Sequence, residues 1–333
     1  MLKLYLRRLF AYKFYPTKYS NWYKEKGYIG ESLQQQFADF LSKQSQKNAL
    51  YFKEFQSTSL TRQFIPSGKE NLDSVLIIPH TQIAEGKAGQ GVYFILFQGR
   101  GEYYEGRFRS MARQAHATGA TILGFNPKGF NNSSGQTKEL SDLVEDGIAV
   151  VRFLLNKGVD HKNIVLQGNS LGAGIQEMVA EYFKLNHGIN FRQINCNSFK
   201  SLAAVVAGHY KVQFMEKLFM LLLIYAGWEI FPGPKFYKTG PYRMYLRRKG
   251  DRTISGSAEF HSMVNHKSDY EASPEGYKEI NKWLNERNQI IFTGRQKVDP
   301  HELGLHLFKI NEKEKRSVFY MINKFLEASK GYL

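Results

Sequence analysis

The chain has 333 residues, 42% hydrophobic and 23% charged, which excludes a disordered or fibrous polypeptide and allows one large core. With 46 Lys and Arg against 30 Asp and Glu, the formal net charge is +16; such a balance favours an anionic partner and says nothing of the fold. The single cysteine, Cys196, excludes an intrachain disulfide and reads as a small buried hydrophobe.

In chain order, MLKLYLRRLFAYKFYPTKYSN has its apolar run broken by basic and aromatic residues, unlike a secretory signal. Residues 1–57 read as a helical extension. Within 1–30 there are seven Lys or Arg against one acid, Glu25, and Leu33, Phe37 and Leu41 then form an i, i+4, i+8 stripe. From 58 to 333 short apolar runs predict eight strands, at 60–66, 73–79, 92–97, 121–126, 163–168, 191–196, 242–248 and 289–294. The first two are spaced as a hairpin. One predicted helix places Leu140, Leu143, Val144, Ile148, Val151 and Leu155 on a single face, with Gly158 as its stop; another begins at Leu171. Strands alternating with helices predict a mostly parallel sheet covered on both faces.

Residues 199–240 interrupt that alternation and read as a lid-like insertion. Their apolar run, 218–231, has 14 residues, short of the roughly 20 that span a bilayer. No transmembrane segment is expected. Lys235, Lys238, Arg243, Arg247, Arg248, Lys249 and Arg252 follow the run. Apolar residues beside such a cluster suit an anionic membrane surface, and equally a core helix beside a solvated basic face.

The segment IVLQGNSLGAGI contains G-x-S-x-G as Gly168, Ser170 and Gly172. An apolar strand precedes it and an amphipathic helix follows, which is the context the motif requires. The strand must turn sharply into the helix and hold the serine in a strained conformation, and the flanking glycines relieve the crowding. A tight strand–helix turn without chemistry would use the same residues.

On this element order, the serine turn and the glycine-rich loops, the chain resembles the α/β-hydrolase superfamily over about residues 58–330. More narrowly, GRGEYYE (99–105), NPKGFNNSSG (126–135), NSF (197–199) and GWE (227–229) resemble the lipase-like hydrolases of intracellular bacteria, the SidB-type effectors of Legionella and related chlamydial proteins. The resemblance implies an α/β-hydrolase fold, with an eight-stranded, mostly parallel sheet. It implies Ser170 as nucleophile, and oxyanion donors on the backbone of Leu171 and of Arg100 or Gly101. Gln98-Gly99 stands where the family often has His-Gly. NPKGFNNSSG, similar to another loop of the family, reads as structural.

The superfamily's chain order is Ser, then an acid, then His. Asp251, just past the seventh strand, fits the acid, with Asp269 and Asp299 as fallbacks; a solvated turn aspartate is the alternative. His301 fits the base, and His306 competes from within an apolar pattern. No histidine spacing indicates a metal, and no cofactor is expected.

The expectation is a serine esterase, lipase-like, acting on a lipid or other hydrophobic ester through Ser170, His301 and Asp251. The alternative is a non-catalytic binding protein on the same scaffold. Nucleic acid is not expected, because the chain lacks zinc-finger, RRM and KH signatures. The expected location is cytoplasmic, or delivered to a host cell without a classical signal.

Overall fold

The computed structural model describes residues 2–14, 57–230, 243–248, 253–254, 258, 288–293 and 318–330. The predicted stripe Leu33–Phe37–Leu41 lies outside them.

All eight predicted strands form, with ends shifted by a few residues at most. They are β1 (Thr58–Ser67), β2 (Glu70–Pro79), β3 (Tyr93–Phe97), β4 (Thr121–Phe125), β5 (Ile164–Asn169), β6 (Arg192–Cys196), β7 (Arg243–Arg248) and β8 (Asn288–Thr293). The helices are α1 (Leu2–Phe14), α2 (Thr81–Ala84), α3 (Phe108–Thr118), α4 (Leu140–Asn156), α5 (Leu171–His187), α6 (Leu202–His209), α7 (Glu216–Ala226) and α8 (Val318–Ala328). The strands form one sheet in the order β1-β2-β4-β3-β5-β6-β7-β8. β2 runs antiparallel to β1 and β4, and every other pairing is parallel. β1 and β2 form the expected hairpin, turning through Gly68 at φ 62°.

Successive side chains on a strand point to opposite faces. Ile95, Leu123, Ile164 and Leu166 accordingly face a core built with α4, α5, α6 and α7. Their neighbours Phe94, Ile122 and Val165 face a second core built with α3 and α8. The central strands are buried on both faces, which explains why they read as continuous apolar runs rather than alternating ones.

The buried stripe of α4 differs from the one expected. Leu140, Leu143 and Val151 are buried, but so are Asp146, Gly147, Val150 and Leu154, whereas Val144, Ile148 and Leu155 are only partly buried. The helix is turned by Asp146, whose carboxylate accepts the Ser67 hydroxyl at 2.8 Å and the Lys128 backbone N–H at 2.8 Å, with the Lys128 ammonium at 3.2 Å. These partners oppose the burial that raises its pKa.

Between β6 and β7 lie α6 and α7, joined through a turn of 3₁₀ helix at Gln213–Met215. The apolar run 218–231 is thereby divided. Leu223, Ala226, Trp228 and Ile230 are buried, while Leu218, Leu221, Ile224 and Tyr225 are exposed. Glu229 accepts backbone N–H groups of Leu202, Ala203 and Ile230, tying the end of the run to the start of α6. Among the described residues no helix is long and apolar enough to cross a membrane.

Candidate active site

The G-x-S-x-G segment is a sharp turn from β5 into α5. Ser170 has φ 51° and ψ −119°, a region that costs a non-glycine residue on the order of 1–3 kcal/mol. The surroundings hold it there. Its N–H donates to the Cys196 carbonyl at 2.9 Å, across to the end of β6, and its own carbonyl accepts the Ala173 N–H at 3.0 Å. A Cβ on Gly168 would lie 2.5 Å from the Ala173 Cα. On Gly172 it would lie 2.2 Å from the Phe97 carbonyl oxygen and 2.4 Å from that of Gln98. On Gly174 it would meet Ile230 Cγ2 at 2.9 Å and Phe199 Cζ at 3.1 Å. Gly172 therefore admits the β3 loop against the head of α5, and Gly174 admits the insertion.

Ser170 is 8% exposed. The ends of β3 and β6 crowd it, through the contact at Gly172 and the Cys196 bond. Leu171 is the first residue of α5, and its N–H has no acceptor among the described residues. A helix start leaves such donors free and carries partial positive charge.

The loop after β3 is fastened by Glu102, which sequence reasoning did not single out. Its carboxylate accepts the Gly99 N–H at 2.8 Å and the Asn169 side-chain N–H at 3.5 Å, and it pairs with Arg107 at the start of α3. Since Gly99 donates to Glu102, it is not a free oxyanion donor. The N–H of Arg100, the next residue, has no acceptor among the described residues, and Gly101 follows at φ 68°. Gln98 is buried, and its Nε2 has no partner among the described residues. Gln98, Glu102, Arg107, Gln114, Asn169 and Cys196 line an open pocket of about 50 Å³.

The other quoted motifs support this loop. Asn126 accepts the Tyr104 N–H at 3.2 Å and donates to both Glu105 oxygens at 3.0 Å, linking NPKGFNNSSG to GRGEYYE. Burial raises the Glu105 carboxyl to about 7 against these hydrogen bonds. The Ser133 hydroxyl donates to the Asn126 carbonyl at 2.7 Å and accepts the Asp73 N–H at 2.8 Å, a structural role as expected for that loop. In NSF, Asn197 takes φ 49° and donates its N–H to Leu246, while Phe199 packs beneath Gly174. In GWE, Gly227 ends α7 at φ 77°, Trp228 is fully buried and Glu229 caps α6.

Asp251, His301, His306, Asp269 and Asp299 lie outside the described residues. Their strands do not: β7 and β8 run parallel to β5, in the order β5-β6-β7-β8. The ends of β7 and β8 thus lie at the same edge of the sheet as the end of β5, which leads into Ser170. The Lys200 N–H donates to the Ala258 carbonyl at 2.9 Å, and Ile254 is buried in the α5 core, which ties the region just past β7 to the start of the insertion. One residue of the expected basic cluster is not on a surface. Arg243 is buried, 3.3 Å from the Glu177 carboxylate of α5, because its place on β7 points it into the core layer. Among the described residues no group of His, Cys, Asp and Glu could hold a metal ion.

A family model described as Chlamydia CHLPS protein (DUF818) matches residues 71–232, the span from β2 to the end of the described insertion. That match agrees with the narrower sequence resemblance. No curated protein matches the chain. Among solved structures, an esterase of Pyrococcus furiosus is similar at a TM-score of 0.53 and 16% identity, over 83% of this chain and 93% of that one. A mutant of the esterase E40 is similar at 0.53 and 14%, over 83% and 86%. An esterase/lipase from an uncultured bacterium is similar at 0.50 and 10%, over 88% and 98%. Sheet order, serine turn and structural likeness agree, and the chain has the α/β-hydrolase fold.

Proposed function

We propose that the chain is a serine hydrolase that cleaves carboxylic esters. The observation that carries this reading is the strained φ 51° of Ser170, at the head of a helix, between glycines whose Cβ positions are filled by backbone. A fold retains such strain where it serves a function. The esterases among the similar structures support the same reaction class.

In this reading the Ser170 Oγ attacks the acyl carbon while His301 takes its proton. The tetrahedral oxyanion is held by the N–H groups of Leu171 and Arg100. The C–O bond to the alcohol breaks, and His301 protonates the leaving alkoxide, leaving an acyl-enzyme. Water then adds to the acyl carbon, giving its proton to His301, and the acid departs as Ser170 is reprotonated. Asp251 holds the imidazole tautomer and stabilises the imidazolium. The substrate is a lipid or other hydrophobic ester, a choice supported by the apolar residues that the inserted α7 exposes.

The test is labelling by a fluorophosphonate probe together with hydrolysis of p-nitrophenyl esters of increasing acyl length. Wild type is expected to label and turn over. Ser170→Ala should lose labelling and on the order of 10³-fold or more in turnover while remaining folded. Loss on His301→Ala, with His306→Ala active, assigns the base. A folded wild type that neither labels nor hydrolyses any ester would leave a binding protein on a hydrolase scaffold.

A further inference from the structure

We infer that α1 and α7 together form a docking surface for an anionic phospholipid bilayer. α1 packs on the domain through Leu6, Phe10 and Ala11, and Arg7 pairs with Glu139 at 2.7 Å. Away from that contact, Leu2, Tyr5, Leu9 and Tyr12 are all exposed. Their spacing is i, i+3, i+7, i+10, so at 100° per residue they form one stripe. Exposed Arg8 and Lys13 flank it on either side, and the helix carries no acid.

α7 lies beside α1, with the Lys3 ammonium 5.7 Å from the centre of the Tyr225 ring. Leu218, Leu221 and Tyr225, at i, i+3, i+7, form a second exposed apolar stripe, and Phe214 is exposed on the 3₁₀ turn just before it. Exposure reaches 87% for Phe214, 64% for Tyr5, 63% for Leu2 and 62% for Leu221. Lys211 and Lys217 are exposed beside them, while Glu216, the acid at that end, is engaged by Lys200 at 3.0 Å.

A patch with this many large apolar side chains marks an interaction site. Its charge selects the partner. A second copy would oppose Arg8, Lys13 and Lys217 to the same cations, which repel, whereas an anionic headgroup layer complements them. Apolar and aromatic stripes flanked by Lys and Arg are the pattern of helices lying in a membrane interface. This surface differs from the basic cluster at 235–252 that the sequence suggested. It does not depend on the hydrolase reading, since none of its residues belongs to the serine turn.

The test is co-sedimentation of the full chain with vesicles of phosphatidylcholine alone or mixed with phosphatidylglycerol, at low and high salt. Binding is expected to the mixed vesicles only, and to weaken at high salt. Arg8→Glu with Lys13→Glu should lower partitioning more than tenfold, at about fivefold or more for each basic residue lost. Tyr5→Ser with Leu9→Ser, and separately Leu218→Ser with Leu221→Ser, should each weaken it comparably, with unchanged circular dichroism. Ser170→Ala should bind as wild type does, which separates this surface from the proposed catalysis. Absence of binding to the mixed vesicles, equal binding to neutral ones, or a lipid-free dimer abolished by the same substitutions would overturn the inference.

Discussion

Gly172, on the first turn of α5, lies against the carbonyl of Phe97 at the end of β3, and a Cβ on it would lie 2.2 Å from that oxygen. Helix and strand are held by the sheet, so neither backbone can retreat without moving the serine turn. Gly172→Ala is therefore expected to destabilise the fold by about 3 kcal/mol, the upper end of overpacking costs. It should also lower ester turnover, because the displaced loop carries Gly99 and Arg100. Thermal unfolding and steady-state hydrolysis on the same sample check both effects. An alanine variant with native stability and native turnover would mean that the contact is slack.

Ser170 separates activity from stability. Its φ of 51° with ψ of −119° is a conformation that glycine adopts readily and a residue with a Cβ only at a cost. Ser170→Ala and Ser170→Gly are both expected to abolish fluorophosphonate labelling. The glycine variant should be the more stable of the two by about 1 kcal/mol, because relief of backbone strain exceeds the entropy glycine adds to the unfolded chain. Denaturant unfolding of the pair measures the difference. A glycine variant less stable than the alanine one would show that the turn is not strained.

The strands were legible because each is a local run of β-branched and aromatic residues bounded by turn residues, and the serine turn because its demands fall within seven residues. Features set by distant partners were not legible. The periodicity of apolar residues in α4 does not signal Asp146, which is held by Ser67 and Lys128 and turns the buried stripe toward itself. Helix α3 hides for a related reason: its buried face includes Gln114 and Thr118, with the Gln114 side chain donating to Gln167 on β5 at 2.7 Å. Glu102 gives little local signal, being one acid in GRGEYYE. Its importance comes from Asn169 and Arg107, which the fold brings to it. Arg243 looked like a surface cation for the same reason, since its partner Glu177 is distant in sequence.

Glu105 makes stability depend on pH. In the unfolded chain its carboxyl ionises near the ordinary value of 4.5, whereas burial in the fold raises it to about 7. Between these values the native state binds more protons than the unfolded state. The contribution of this group is therefore fully present below pH 4.5, declines as pH rises, and is lost above about 7. Glu229, capping α6, is raised to about 7 by the same cause and acts with the same sign. Glu105→Gln is expected to flatten the decline in melting temperature between pH 4.5 and 7 relative to wild type, and Glu105→Gln with Glu229→Gln to flatten it further. Scanning calorimetry across that range checks the slopes. Parallel curves for wild type and both variants would mean that neither carboxyl holds its proton in the fold.

Glu102 is a positioning residue for the proposed oxyanion loop. It accepts the Gly99 N–H at 2.8 Å and pairs with Arg107, so it fixes the residue immediately before the proposed donor Arg100. Misplacing such a donor by about 1 Å costs on the order of 10² in rate. Glu102→Ala should lower kcat by about that factor while changing KM little, because a donor aimed at the oxyanion acts in the transition state rather than on bound substrate. Glu102→Gln retains an acceptor for Gly99 and loses only the charge facing Arg107, so it should recover most of the rate. A merely structural role would lower the unfolding midpoint of both variants in step with their activity. A native midpoint in Glu102→Ala with reduced kcat, and recovery in Glu102→Gln, isolates the positioning effect. A rise in KM at constant kcat would instead place Glu102 in ground-state substrate binding.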